Sequence, residues 1–213
     1  MAALFTSDPH FGHENIIGYT GRPFADVVEM DEALVAAWNA RVGDDDEVWV
    51  LGDFAMGRIA DTLGIAGRLN GHKVLVTGNH DRCWPGNGAK AAGWEERYLD
   101  AGFAEVRHGV VRVDVVHRSG VLAGHFPYEG DSQGTDRYTG ARPLDEGGWL
   151  LHGHVHDKWR QRRRMINVGV DAWAGAPVHE DEVAALLDAG PCHLAPRPWT
   201  ASRPPGETGR GGT

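Results

Sequence analysis

Six short apolar runs punctuate the chain: Ala2 to Thr6, Glu47 to Leu51, Lys73 to Val76, Val121 to Ala123, Trp149 to Leu151 and Met165 to Val170. Each has the length of a strand, and each of the first five stops within a few residues of an aspartate, asparagine or histidine. Between the first two runs Met30, Leu34, Trp38 and Val42 recur at intervals of four, with Val35 beside them, so a helix there presents one apolar stripe to a sheet. A second helix is expected over Ile59 to Leu69. A third follows the acidic turn Glu180 and Asp181, buries Val183, Leu186 and Leu187, and stops at Gly190. Strands alternating with helices predict an α/β fold, and open α/β sheets place their sites in the crevice outside the carboxyl ends of the strands. The polar residues that end the runs should therefore converge.

At 213 residues the chain suits one packed domain, expected over residues 1–190. From Pro191 to Thr213 it turns rich in Pro, Gly, Arg, Ser and Thr, which predicts a disordered or loosely attached tail. No apolar run approaches membrane-spanning length and the first residues lack a basic signal region, so a cytoplasmic protein without a membrane partner is expected. Cys83 and Cys192 stand in no close-spaced metal pattern and read as incidental thiols. The formal charge is −9, and because the tail contributes +2, the remainder carries −11. Such a surface offers no broad basic face for a nucleic-acid polymer; an anionic substrate has to be held by local cations.

Bound metal would supply them. Asp8, His10, Asp53, Asn79, His125, His154 and His156 provide seven oxygen and nitrogen donors, more than one tetrahedral ion uses and suited to two ions sharing a carboxylate. Carboxylate and imidazole donors without thiolate suit Mn, Fe, Zn, Ni or Co, with no choice among them legible in the residues. Gly52, Gly78, Gly124 and Gly153 each precede a donor, where a chain leaving a sheet would need positive φ or where a missing Cβ makes room. In LHGHVH, residues 151–156, period-two alternation would send His152, His154 and His156 to one face.

In order, Asp8-Pro9-His10, Gly52-Asp53, Gly78-Asn79-His80-Asp81, Gly124-His125 and Gly153-His154-Val155-His156 resemble the five blocks of the calcineurin-like metallophosphoesterases. The extended first block, DPHFGHEN, is similar to that of a small bacterial and phage-type subgroup. The resemblance implies a four-layer αββα sandwich with two mixed sheets flanked by helices. It further implies that Asp8, His10 and His156 hold one ion, that Asn79, His125 and His154 hold the other, and that Asp53 bridges them. His152 precedes the last block and reads as a core or supporting residue. The second block departs from many relatives: Asp53 is followed by Phe54, Ala55, Met56, Gly57 and Arg58, so Arg58 is only a weak candidate for a substrate contact from this block.

The expected reaction is phosphate ester hydrolysis by a hydroxide shared between two ions about 3.5 to 4 Å apart. His80 is placed to donate to a phosphoryl oxygen or leaving alkoxide, and Asp81 to orient its ring. His13, Asn15 and Arg82 are the candidate substrate contacts. Without an evident cap domain the site would admit a phosphodiester or nucleotide-derived small substrate; a phosphomonoester, including a phosphoprotein, is the alternative, and a non-catalytic scaffold of the same fold the reading outside enzymes. His72, His108, His117, His179 and His193 match no block, Asp44 to Glu47 reads as a solvated turn, and the tryptophans read as packing, with Trp84 and Trp173 candidates for the pocket mouth. The polar stretch Glu129 to Gly148 reads equally as a substrate-facing or a plain solvated loop.

Overall fold

The computed structural model describes residues 1–199, and their order is two sheets interleaved with short helices. The first sheet holds β1 (Ala3–Thr6), β2 (Glu47–Val50), β3 (His72–Val76) and β4 (Phe103–Arg107) in parallel, edged by the antiparallel β10 (Val178–His179). The second runs β11 (Cys192–Leu194), β8 (Gln161–Arg163), β9 (Met165–Asn167), β7 (Leu150–His152), β6 (Arg118–Gly124) and β5 (Val110–Val115), with only β9, β7 and β6 parallel. The α/β sandwich of two mixed sheets flanked by helices is thus the architecture found.

Period-two alternation divides the first sheet between two cores. Leu4, Val48, Val50 and Leu75 face Met30, Leu34 and Trp38 of α2 (Val27–Asn39). Phe5, Leu51 and Val76 face Val113, Ala123, Leu151 and Ile166 of the second sheet. The α2 stripe predicted from the sequence is the buried one, and Asp26 caps the helix by accepting from the Glu29 N–H at 2.9 Å. The terminal helix, here α5 (Glu180–Ala189), closes the inter-sheet core with Val183 and Leu187. Helix α1 (Glu14–Thr20) precedes α2, and α3 (Ile59–Thr62) and α4 (Trp94–Asp100) lie between α2 and α5 in the chain. No helix among the described residues is long and apolar enough to cross a membrane.

Two expectations are corrected. The helix expected over Ile59 to Leu69 is α only through Thr62 and continues as a 3-10 turn, Leu63–Arg68, in which Gly64 and Gly67 weaken the helical preference. The domain boundary expected at residue 190 falls inside the fold. Strand β11 pairs with β8, Arg197 meets Glu182 at 2.9 Å, and Trp199 packs edge-on against Phe24 with centroids 5.5 Å apart. The rest of the expected tail, residues 200–213, lies outside the described residues. Truncation after Gly190 should therefore cost on the order of 2 kcal/mol and lower the melting temperature by about 4–8 °C, read by thermal circular dichroism; an unchanged melting temperature would return the boundary to 190.

Candidate metal centre

Strands β1, β2 and β3 end side by side, and the chain leaving each carries the motif residues: Asp8 and His10, Asp53, Asn79 and His80. From the second sheet come His125 after β6 and His154 and His156 after β7. The two edges join where Ser7 bridges Gly169. All seven expected donors lie at this common carboxyl edge.

The backbone there is unusual. Nine non-glycine residues among those described have positive φ, and five of them are Asp8, His10, Asp53, His154 and His156, between 50° and 70°. That region costs an L-residue on the order of 1–3 kcal/mol at a strained site, and persists only where surrounding contacts over-determine it. Of the four preceding glycines only Gly52 has positive φ; Asp8, His10, Asp53, His154 and His156 take the left-handed turn themselves, so of the two expected roles the room left by a missing Cβ is the one found at Gly78 and Gly153. What three of the glycines supply is close approach. A Cβ on Gly78 would strike Asp53 Oδ1 and stand 2.7 Å from His125 Nδ1, one on Gly153 would strike Ser7 and Asp8, and one on Gly52 would meet Gly78.

Two groups of three fit a metal ion: Asp8, His10 and His156, and Asp8, Asp53 and His125, all buried. Both ring nitrogens of His10 and Asp8 Oδ1 are buried without a hydrogen-bond partner. Orphaned polar atoms of this kind cost about 1–3 kcal/mol each, which a shared cation would offset. Asp53 Oδ2 stands 3.5 Å from His125 Nε2, 3.7 Å from His10 Nε2 and 4.0 Å from His80 Nε2, between the two groups. The Leu51 carbonyl accepts at 2.8 Å from His125 Nδ1, which leaves the Nε2 lone pair facing Asn79 Oδ1 at 3.2 Å. Lone pairs facing oxygens need a cation or a proton between them.

Second partners fix the other imidazoles. His156 Nδ1 reaches Asp171 Oδ2 at 3.1 Å, and His154 Nε2 reaches Asp131 Oδ2 at 3.1 Å. His154 stands in neither three-residue group; its backbone N–H donates to Asp8 Oδ2 at 2.9 Å. Burial, then neighbouring His125, lowers the His154 pKa to about 4, and burial and His156 push His10 well below the usual range. These two rings are held neutral, the form metal ligation requires, whereas at His125 and His156 burial is outweighed by the Asp53 and Asp171 carboxylates and the pKa is raised. Burial would raise Asp53, but His125 and His80 outweigh it and hold the carboxyl below its ordinary value. Asp171 is likewise held low against its burial, first by Arg22 and then by His156.

His152 is fully buried, with its Nδ1 2.7 Å from the Gly153 carbonyl, and is a core residue as expected. His80 is 41% exposed, and with His10, His13, His156, Tyr19 and Arg137 it lines a cavity of about 460 Å³. A larger groove, about 620 Å³, lies at the amino ends of the strands beside Ala2, Glu47 and Trp49 and contains none of the motif residues. Asn15 is exposed on α1 and outside the cavity, and Arg82 lines a smaller neighbouring pocket with Asn79 and His80. Trp84 packs on Phe126 and Tyr138, while Trp173 is buried. The polar loop reaches the site through Asp131 and Arg137.

One role is corrected. Asp81 makes no contact with the His80 ring; its carboxylate accepts from the backbone N–H groups of Gly78, Asp53 and Phe54 at 2.8, 2.9 and 3.1 Å. It is the clamp of the Asp53 turn. Burial and the nearby Asp53 charge nevertheless raise its pKa to about 6. Sequence reasoning also missed Arg22, Asp131 and Asp171. Asp171 ends the last apolar run just as the named donors end theirs, a signal that was available; Arg22 and Asp131 sit in loops without one.

No protein-family model matches the chain. It is 37% identical to the gene 66 protein of Mycobacterium phage L5 over 199 residues, covering 86% of this chain and 93% of the relative. Over 193 residues it is 31% identical to protein MJ1445 of Methanocaldococcus jannaschii, covering 86% and 90%. Among solved structures, the Aquifex aeolicus protein AQ665 superposes with a TM-score of 0.64 at 25% identity, over 86% of this chain and 98% of that one.

Replacing Asp81 by Asn removes one charged acceptor from three backbone donors. The variant should lose about 1–3 kcal/mol in chemical denaturation. Gly78→Ala should fold less stably by a similar amount, because the methyl group meets Asp53 and the His125 ring rather than solvent. Denaturation midpoints matching wild type in both would refute the clamp and the close approach.

Proposed function

Because the chain belongs to one family with the gene 66 protein of Mycobacterium phage L5 and with MJ1445 of Methanocaldococcus jannaschii, we propose that this family contains metal-dependent phosphoesterases of the calcineurin-like superfamily. The observation that carries the reading is the buried group Asp8, His10 and His156, with three polar atoms that no protein group satisfies, set beside a second group through Asp53 and His125. In this reading Asp8, His10 and His156 hold one divalent ion, Asn79, His125 and His154 the other, and Asp53 serves both. Bound there, Mn, Fe, Zn, Ni or Co ions supply a hydroxide nucleophile at neutral pH and countercharge for the phosphoryl oxygens.

The protein's own part is position and proton delivery. Asp53 Oδ1 accepts from the His80 N–H at 2.8 Å, which fixes the backbone from which the partly exposed ring enters the cavity. From there the His80 imidazole donates a proton to the leaving alkoxide. His13, its ring 5.3 Å from that of His10, and Arg137 flank the bound ester. A cavity of about 460 Å³ holds more than one phosphoryl group, which supports a phosphodiester or nucleotide-derived substrate over a bare monoester. The acidic surface supports a small substrate, met in the cytoplasm, over a nucleic-acid polymer.

Metal-stripped protein should hydrolyse bis-p-nitrophenyl phosphate faster than p-nitrophenyl phosphate once Mn²⁺, Ni²⁺, Zn²⁺ or Mg²⁺ is restored. Asp53→Asn should lose turnover together with metal affinity. His80→Ala should keep its metal and lose about 10²- to 10⁴-fold in kcat, least for esters with the best leaving groups. Preference for the monoester would replace the diesterase by a monoesterase, and a folded wild-type protein that binds no divalent ion would overturn the metal-dependent reading.

A further inference from the structure

Arg22 is a buried cation with none of its side chain exposed, in a loop that matches no motif. Its Nε and one terminal nitrogen grip the Asp171 carboxylate at 2.8 and 2.9 Å. That same terminal nitrogen donates to the Asp8 carbonyl at 2.8 Å, and the other donates to the Pro9 carbonyl at 2.8 Å and touches Met30 Sδ at 3.3 Å. Asp171 in turn accepts from His156 Nδ1 on the oxygen that Arg22 also holds. Every oxygen contact of the guanidinium thus ends on a segment carrying one of the three residues Asp8, His10 and His156, or on the carboxylate that fixes the third.

Stability alone is a poor account of this pair. Desolvating a guanidinium and a carboxylate consumes most of what their attraction returns, and apolar residues of equal volume often serve a core as well or better. The fork does something an apolar residue cannot. Asp8 and His10 have positive φ on either side of Pro9, and the two carbonyls that Arg22 holds, those of Asp8 and Pro9, lie within that turn. The planar guanidinium therefore sets the turn of the first block and the ring of the last block in one rigid frame, across the junction of the two sheets.

We infer that Arg22 and Asp171 form a positioning pair that presets Asp8, His10 and His156 for one divalent ion. The inference rests on the metal-dependent reading above and goes beyond it by assigning two residues outside the motif blocks. Lysine cannot replace the arginine, because a single ammonium cannot hold a carboxylate in a fork and two carbonyls at once.

Calorimetric titration of metal-stripped, full-length protein with Mn²⁺ tests it, with Arg22→Lys, Arg22→Met and Asp171→Asn beside Leu187→Ala. Leu187 is buried in the inter-sheet core, so its truncation lowers stability without touching the frame. The folded Arg22 and Asp171 variants should bind one Mn²⁺ about 10- to 100-fold more weakly and keep the second binding event. Leu187→Ala should keep both affinities despite its lower melting temperature. Affinities within twofold of wild type in Arg22→Lys and Asp171→Asn, or an equal loss in Leu187→Ala, would overturn the positioning role and leave a structural ion pair. If wild type itself binds no Mn²⁺ or any other divalent ion, the metal-dependent reading fails first. If Arg22→Met does not fold, the lysine and asparagine variants still decide.

Discussion

Everything at the candidate site depends on holding five non-glycine residues in left-handed backbone conformations at the carboxyl edge of two sheets. Each strand delivers its chain outward, and an extended exit would carry the next side chain away from the crevice. A left-handed residue turns the chain at once, so that Asp8, Asp53, His154 and His156 point back across the edge. The cost, about 1–3 kcal/mol per residue, has to be met by neighbouring contacts. The structure shows three such braces. Asp81 takes three backbone N–H groups around Asp53, Arg22 takes the carbonyls of Asp8 and Pro9, and Asn167 donates at 2.8 Å to the carbonyls of both His156 and Trp159. All three are buried polar groups that hold backbone atoms of the site loops.

This arrangement decides between the two roles that the sequence left open for the glycines. A glycine before a donor suggests a turn needing positive φ, but Gly78 and Gly153 have ordinary φ and are instead crowded by Asp53, His125, Ser7 and Asp8. Strands β1, β2 and β3 stand about 4.8 Å apart in any sheet, too close for side chains from three adjacent exits to meet over a fourth Cβ. Removing that Cβ is what lets two carboxylates and several imidazoles share one small volume. Strain at the donors and empty space at their neighbours are two halves of one packing solution.

The sequence disclosed the parts governed by local pattern. The parallel strands β1, β2 and β3 are apolar enough to stand out, and the donors that follow them were readable because strand ends in α/β folds converge. Strands β4, β5 and β8 were not read, because FAEVR, VVRVDV and QRR place charged residues on a half-exposed face, and their strand state comes from neighbours rather than propensity. Strand β11 followed a composition that reads as tail, yet it pairs with the exposed edge of β8. The braces are illegible for a different reason. Arg22 lies 149 positions from Asp171 and Asp131 lies 23 from His154, and nothing in either local stretch marks them as partners. Asp81 was legible as part of a motif block but not in role, since a carboxylate beside a histidine in sequence need not face it in space.

The electrostatics of the site follow from burial more than from net charge. On a chain of formal charge −9, a crevice holding Asp8, Asp53, Asp131 and Asp171 would be expected to repel phosphate esters. Two of these carboxylates are already neutralised by arginine, Asp171 by Arg22 at 2.8 Å and Asp131 by Arg137 at 2.8 Å, while the other two stand among imidazoles with no arginine of their own. The anionic charge left over is therefore concentrated on Asp8 and Asp53, the carboxylates of the two metal-fitting groups. Two divalent ions would exceed that charge by two and turn the crevice net positive, the sign an ester phosphate needs. The arginines thus do more than brace: by occupying the outer carboxylates they leave the inner pair as the place where a cation is best stabilised.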